Sequence, residues 1–557
     1  MKNNTDRKDF SITHTRFSGE ELLGIPRGRY SDDWPVVYIL KGKKQAYVGE
    51  TLNFLMRMKA HLRIESRKNV MTDAYRIEDE QFNKSSATHL ESFLIEFMAA
   101  DGKFELQNRN SGLRNHNYYN RDRYLEHFGD IWDKLIDLEI VLHDLNTLKN
   151  SDLFKMSPFK TLSFEQLEVV KKITRTLRNE ETSASVVKGV PGTGKTVLGV
   201  YLMKYLIDFK EFQDKKIGIV IPMKSLRKTL KKVFRTVKGL SPRMVLGPSD
   251  ITHEKYDILI VDESHRLMKR NYLANNYSYD EATKRLGLPP DATQIEWIRN
   301  QCSHLVLLYD PDQTIKPSDV NPETILSLTD GNKNWYTLTS QFRVKTDFDY
   351  IGFIENILNM KSLRLGPPTK KELGNYDLRL FDDPLEMTEE IRKRNSEKGL
   401  SRLTAGYAWF WKTKNDLDNP YLFDIEEKNL KVKWNTKTED WVNSPGALRE
   451  AGSIHTVQGY DLNYCGVIIG RDLIMEDGRI KFNRKSYFDK KTRNDEEMLV
   501  FIKNIYRVLL TRGIYGTYIY VCDEQLRDYF RKFIPSADEG IKEMPFKVAE
   551  DSEGYLD

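Results

Sequence analysis

Gly189-Val190-Pro191-Gly192-Thr193-Gly194-Lys195-Thr196 is the stretch on which the reading of this 557-residue chain turns. It has the spacing G-x-x-x-x-G-K-[ST] of a phosphate-binding loop. Val186 and Val187 before it read as a buried strand, and Val197 to Leu206 after it as a helix. Gly189, Gly192 and Gly194 let the backbone curl so that its N–H groups, that of Thr193 among them, face a phosphate chain. The helix N-terminus adds partial positive charge at the same place. In such a loop Lys195 reaches the β- and γ-phosphates and Thr196 holds Mg²⁺, so the expected ligands are ATP and Mg²⁺.

Working outward, Tyr256-Asp257-Ile258-Leu259-Ile260-Val261-Asp262-Glu263-Ser264-His265 supplies the acidic partner. Its apolar residues predict a buried parallel strand. Asp262 emerges at the strand end to bind Mg²⁺ through water, and Glu263 is placed to polarise an attacking water. A third strand, His304 to Tyr309, leads to Asp310 and Gln313, and a glutamine there senses the γ-phosphate. Arg343, in Leu338-Thr339-Ser340-Gln341-Phe342-Arg343, is a candidate for neutralising transition-state charge. Gln166, at the start of the helix before the loop, reads either as an adenine contact or as a surface glutamine. The basic run from Lys224 to Lys238 reads as a solvated helix face, with Lys224 and Ser225 as candidate phosphate contacts.

From Leu162 onward this order of motifs resembles superfamily 1 helicases. Within them it looks most like the helicase domain of Schlafen proteins and their bacterial relatives. Arg402 to Trp411, Ile454-His455-Thr456-Val457-Gln458-Gly459-Tyr460-Asp461, and Tyr506 to Gly513 match stretches of that group. The resemblance implies two RecA-like lobes with ATP in the cleft between them. It also implies that Gly459 lies in a nucleotide-contacting segment and that Arg512 is a second arginine finger. Tyr460 stands where many members carry an acidic residue for the ribose hydroxyl, and Asp461 is the available substitute. Trp409 and Trp411 read as core residues or as stacking surfaces for bases.

The first part of the chain reads differently. Val36 to Leu40 and Gln45 to Gly49 predict a β-hairpin with Tyr38 on one arm and Tyr47 on the other. Asn53, Arg57 and His61 are spaced by four, on one face of a predicted helix. Glu91 lies on a further helix, and Leu106 to Asn110 closes the segment. Tyr38, Tyr47-Val48-Gly49, Arg57, Glu91 and Asn108 occur in the order of the GIY-YIG nuclease family, which residues 34–112 resemble. Val36-Val37-Tyr38 stands in place of Gly-Ile-Tyr. The resemblance implies Tyr38 as the base for a water, Arg57 on the scissile phosphate, and Glu91 holding one Mg²⁺, or Mn²⁺ in its place. His61 assists, and Tyr47 and Asn108 order the site.

Hydrophobic content of 39% and charge of 30% fit a globular chain of several domains. A net charge of +5 on this length decides nothing about partners. Cys302, Cys465 and Cys522 form no metal-ligand pattern and suit a reducing compartment. No apolar run reaches membrane-spanning length, and Met1 to Phe10 lacks the apolar region of a signal peptide, so a cytoplasmic location is expected.

The expected fold is α/β: a small α+β nuclease domain with a β-hairpin, then two RecA-like parallel-sheet phosphate-loop lobes. The expected boundaries are an N-terminal extension at 1–30, the nuclease domain at 31–125, a connector at 126–160, and lobes at 161–340 and 341–557. A fragment ending near residue 150 is expected to fold alone. The expected function is an ATP-dependent nucleic-acid translocase or helicase fused to a metal-dependent endonuclease, with DNA favoured over RNA and anti-phage defence as a role. The alternatives are a remodeller or sensor whose nuclease-like domain only binds, and a binding module that uses ATP to switch shape.

Overall fold

The structure, a computed structural model, describes residues 10–108, 121–160, 162–270, 276–313, 318–328, 334–346, 348–361, 366–437, 440–457, 459–488 and 495–538. Arg109-Asn110, Asn115 to Asn120 and Gln458 lie outside the described residues. The chain divides into two compact units, Met1–Phe342 and Arg343–Asp557.

The first unit holds two sheets. One contains β1 (Phe10–Arg16), β2 (Val36–Gly42), β3 (Gln45–Thr51), β4 (Met71–Asp79) and β5 (Glu105–Leu106), in the order β1-β4-β2-β3-β5. All its pairings are antiparallel except β3 with β5. Val36 to Leu40 are all buried, because β2 is central. The sheet begins at Phe10, inside the stretch read as an N-terminal extension, since β1 pairs with β4 along its whole length. The longer helices that accompany the sheet are α1 (Phe54–Leu62), α2 (Lys84–Asp101) and α3 (Arg121–Asp137). The N-cap of α2 is Asn83, in a reciprocal capping box with Ser86, and Gly102 ends the helix at φ 71°.

The second sheet contains β6 (Ser183–Gly189), β7 (Ile217–Val220), β8 (Val245–Leu246), β9 (Tyr256–Val261), β10 (Cys302–Tyr309) and β11 (Trp335–Leu338). All its pairings are parallel, in the order β11-β6-β10-β9-β7-β8. Its principal helices are α4 (Phe164–Asn179), α5 (Lys195–Asp208) and α6 (Lys224–Thr236). Parallel strands of continuous apolar sequence need cover on both faces, so the ends of the strands are where polar chemistry sits.

A single hydrophobic core joins the two sheets of this unit. Val37 and Phe97 from the first, Trp132 and Phe159 after it, and Ile173, Leu202 and Phe234 around the second all belong to it. Beside the expected connector over 126–160 and the fragment expected to fold alone, the structure shows that residues of this stretch share the core with both sheets. In that stretch Trp132 packs 5.7 Å and Phe154 4.5 Å, ring to ring, from Phe97. The sequence hides this because residues 121–137 are polar on average and carry their apolar residues on one face only.

The second unit is built on β12 (Asp377–Leu380), β13 (Ser401–Ala405), β14 (Ile425–Glu427), β15 (Leu430–Trp434), β16 (Glu450–Gly452), β17 (Leu462–Ile469) and β20 (Gly513–Val521), with β18 (Leu473–Glu476) and β19 (Arg479–Phe482) as a separate hairpin. The main sheet runs β12-β20-β17-β13-β16-β15-β14 and is parallel except for β14 with β15. Both parallel sheets are of the RecA-like type, as expected. The three cysteines are buried and free. No helix among the described residues is long and apolar enough to cross a membrane.

The shared core predicts that a fragment of residues 1–150 exposes apolar surface and lacks a cooperative melt, whereas residues 1–342 melt as one unit. Calorimetry and dye binding on the two fragments check this. A sharp, two-state melt of the short fragment would count against the shared core.

Candidate functional site

The phosphate loop joins β6 to α5. Gly192 and Gly194 sit at φ 87° and 75°, the left-handed region that glycine occupies without strain. At Gly189 a Cβ would come within 2.4 Å of Thr193 Oγ1, which itself donates to the Val190 carbonyl at 2.9 Å. The Lys195 ammonium is buried. It donates to the carbonyls of Gly189 at 2.6 Å and Val190 at 3.1 Å, and to Asp310 Oδ2 at 3.3 Å.

Because β10 lies between β6 and β9, the carboxyl ends of these three strands converge. Thr196 Oγ1 donates to Asp262 Oδ2 at 2.8 Å. Burial, and then the charge of Glu263, push the Asp262 carboxyl above the usual range, opposed by Thr196 and Lys195. A desolvated carboxylate beside a threonine hydroxyl is a donor set suited to a hard dication. Glu263 follows at φ 50° and ψ 45°, a left-handed conformation that is strained for glutamate. Its carboxylate lies 2.9 Å from His265 Nε2. Gln313 Nε2 donates to Asp310 Oδ2 at 2.6 Å, so Gln313, Asp310 and Lys195 form one chain of contacts.

Gln166 reaches the loop, but its amide has local partners. Its Oε1 accepts from Ser163 N–H in a capping box, and its Nε2 donates to the Thr193 carbonyl at 2.9 Å. Each end of an amide has capacity for one further bond, so this role is compatible with an adenine contact. Ser225 is buried within α6, which leaves Lys224 as the exposed member of that pair.

In the second unit, Arg343 Nε donates to Asp461, and Arg512 Nη1 to the Tyr460 carbonyl at 3.4 Å. Gly459, at φ 87°, turns the chain there. Both candidate arginine fingers are thus held by one short turn. Asp461, the available substitute for a ribose contact, is the hydrogen-bond partner of Arg343. Trp409 and Trp411 are half-buried against the core, in line with the packing alternative.

The first sheet gathers a second cluster. Tyr38 and His61 are buried, and Tyr38 Oη lies 2.8 Å from His61 Nε2. Arg57 Nε donates to the same oxygen at 3.1 Å. On its other side His61 Nδ1 meets the Arg67 guanidinium. Burial, then the charges of Arg67 and Arg57, lower the His61 pKa to about 3, so the ring is neutral. A guanidinium can only donate, so Nδ1 must accept and the ring proton sits on Nε2. Tyr38 Oη therefore receives two donors, an arrangement that favours the phenolate. Burial works against it and holds the phenol above its ordinary pKa.

Arg57 and His61 share a face of α1 as expected. Asn53 does not: it is the N-cap of α1 and accepts from Met56 N–H at 2.8 Å. Asn108 pins β3 through both backbone groups of Val48, at 3.0 and 2.8 Å. Glu91 on α2 is raised to about 7 by burial and by the Glu50 charge, with Lys84 and Arg57 opposing. Among the described residues no group of three or more His, Cys, Asp or Glu side chains is placed to hold a metal ion. What the cluster does hold is one carboxylate for a hard dication, which accepts a shell completed by water and phosphate oxygens.

Sequence reasoning missed Arg67, Glu50, His265 and Asp310 as parts of these sites. Arg67 lies six residues past His61 on a separate short helix, so no periodicity marks it. Asp310 follows a buried strand in the same way as Asp262, and that signal was available.

A family model described as Schlafen group 3, DNA/RNA helicase domain, matches residues 182–523. The uncharacterized protein YPL245W of Saccharomyces cerevisiae is 25% identical over 433 residues, which cover 66% of this chain and 90% of that protein. Among solved structures, the chain is similar to a Pif1 helicase from Candida albicans, at 12% identity, 67% and 98% coverage of the two chains, and a TM-score of 0.28. It is also similar to Mss116p bound to ssRNA and AMP-PNP, at 12% identity, 72% and 76% coverage, and a TM-score of 0.33.

The raised Glu91 carboxyl has a consequence for stability. Its folded pKa of about 7 exceeds the ordinary carboxylate value, so the folded state prefers the neutral form. The associated stability is complete at acid pH and is lost as pH rises through about 7. Glu91→Gln should therefore gain thermal stability relative to wild type on going from pH 5 to pH 8. A melting-temperature difference that is flat across that range would remove the burial argument.

Proposed function

The chain belongs to the Schlafen group 3 DNA/RNA helicase family, and from that premise we propose that it is an ATP-driven nucleic-acid translocase or helicase whose N-terminal sheet is a metal-dependent endonuclease. The observation that carries the motor reading is the 2.8 Å contact between Thr196 and Asp262, beside a buried Lys195 at the head of α5. Lys195 and the loop N–H groups of Gly192, Thr193 and Gly194 bind the phosphates. Thr196 and Asp262 hold Mg²⁺, which when bound supplies charge neutralisation. Glu263 orients the water, Gln313 reports on the γ-phosphate through Asp310, and Gln166 and Gly459 contact the nucleotide. Arg343 and Arg512 neutralise transition-state charge.

In the nuclease reading, Tyr38 takes the proton of the attacking water, with His61 and Arg57 donating to its oxygen. Arg57, which is exposed, grips the scissile phosphate. Glu91 holds Mg²⁺ or Mn²⁺, and Tyr47 lines the site. DNA is the favoured substrate, the cytoplasm the setting and restriction of invading phage DNA the role. A second reading is favoured by one observation, the complete burial of the Tyr38 phenol with its raised pKa. It is an ATP-driven remodeller or sensor of DNA or RNA whose nuclease-like sheet only binds.

Incubation of the purified protein with Mg²⁺, with and without ATP, on single- and double-stranded DNA and RNA separates the two. Metal-dependent nicking that is absent in Glu91→Gln supports the nuclease. Strand-stimulated ATP turnover without nicking supports the remodeller.

Lys195→Ala and Glu263→Gln should abolish ATP turnover, while Glu263→Gln retains nucleotide binding. Near-normal turnover in either would sink the assignment. Arg343→Ala and Arg512→Ala should each lower maximal turnover by about a hundredfold or more, with nucleotide affinity nearly unchanged. Titration of a fluorescent ATP analogue beside a turnover assay distinguishes this from a binding defect.

A further inference from the structure

A cavity of about 950 Å³ lies against the first sheet. Tyr47, Arg67, Glu91 and Asn108, all from the candidate cutting site, form part of its wall. The rest includes Lys204 and Asp208 from the last turns of α5, and Lys238 just beyond α6. These belong to the phosphate-loop sheet, so two sheets with separately assigned chemistry build one cavity. The helix that begins at Lys195 ends in its wall, about 20 Å away at 1.5 Å per residue.

The wall has the chemistry of a strand-binding surface. Lys204 is 4% exposed, and its ammonium, a group with three donors, hydrogen-bonds Asp208 one turn on. Asp208 Oδ2 is buried and takes no hydrogen bond among the described residues, an acceptor suited to a sugar hydroxyl or a base N–H. Lys238 Nζ is 3.7 Å from Glu105 in an exposed pair. Such a pair is worth little in water, so a phosphate displaces the carboxylate at low cost. The Arg67 guanidinium lies 3.8 Å over the Tyr47 ring. The guanidinium thus covers the ring and is itself a flat cation on which a base can stack, and cations for phosphates, a planar stacking surface and amide groups for base edges together are what single-stranded nucleic acid requires. The volume is near the top of the range of about 300–1,000 Å³ for enclosing pockets. A volume of this size accommodates a few nucleotides of one strand.

We propose that this cavity is a binding site for a single-stranded nucleic-acid segment, built jointly by the two sheets, with Lys204 and Lys238 as its substrate-binding residues on the phosphate-loop side. The proposal rests on the nuclease reading for its link to cutting. By it, the first sheet alone presents an incomplete site, and the strand that is cut is unpaired where it enters.

The test uses the full chain as wild type, Lys238→Glu and Lys238→Arg, since Lys238 is exposed and its substitution leaves the core intact. One measurement is Mg²⁺-dependent cutting of a short single-stranded DNA oligonucleotide. The other is photocrosslinking of the same strand carrying thiothymine, mapped by peptide mass spectrometry so that strand bound elsewhere on the chain is told apart. Lys238→Glu should raise KM about tenfold or more, the scale of a lost charge-assisted contact, with a far smaller change in kcat, and Lys238→Arg should restore it. Crosslinks should fall on peptides containing Tyr47 or Lys204. If wild type does not cut but these crosslinks form and are lost in Lys238→Glu, the cavity assignment holds and the nuclease reading fails. If wild type cuts, Lys238→Glu has an unchanged KM and no cavity peptide crosslinks, the nuclease reading stands and the proposal is overturned.

Discussion

A buried ammonium must be met by oxygen, and the phosphate-loop lobe is arranged around that requirement at Lys195. Its three oxygen partners come from the loop itself and from the end of β10. The carboxylate that meets it, Asp310, is also held by Gln313. The loop conformation, the order of the central strands and the Gln313 side chain are therefore coupled through one cation. A phosphate chain entering the loop competes with carbonyls and a carboxylate for the same ammonium. Any change in the Lys195 contacts would reach Asp310 first and then Gln313, which shares its carboxylate oxygen.

The parts of this architecture that the sequence discloses are those whose chemistry is local. A glycine-rich turn between a strand and a helix, and a carboxylate at the end of an apolar run, are each fixed within about ten residues of chain. The loop, Asp262, the hairpin and the succession of three sheets were legible for that reason. What was not legible depends on residues far apart in sequence. Arg67 matters through its contacts with His61 and Tyr47, neither of which a sequence period marks. Glu50 matters only because its charge reaches Glu91 on α2. Asp461 carries an acid suited to a sugar, yet Arg343, over a hundred residues away, is its partner. The packing of Trp132 and Phe154 on Phe97 hid a continuous core behind polar helices.

The first sheet illustrates how opposing effects set a group's chemistry. Tyr38 gains two donors to its oxygen and loses solvent, and the second effect dominates. Glu91 is shifted the same way by the same cause. Both groups are thus poised toward their neutral forms, and the charges that oppose this are Arg57 at both and Lys84 at Glu91. A bound polyanion would alter that balance by drawing on the same cations, so the protonation of the cluster depends on what occupies it.

Gly49 stands opposite Tyr38 on the hairpin, where a Cβ would fall 2.3 Å from the phenol oxygen and 2.4 Å from the ring carbon that bears it. Phenylalanine at position 38 keeps that ring carbon and so keeps the conflict. In evolutionary terms the two positions are ordered. The aromatic ring must be given up before the glycine can acquire a side chain, and the reverse path passes through an overpacked intermediate. A descendant that has lost the aromatic ring at position 38 is then free to fill position 49, and a larger residue there is a historical trace of that loss.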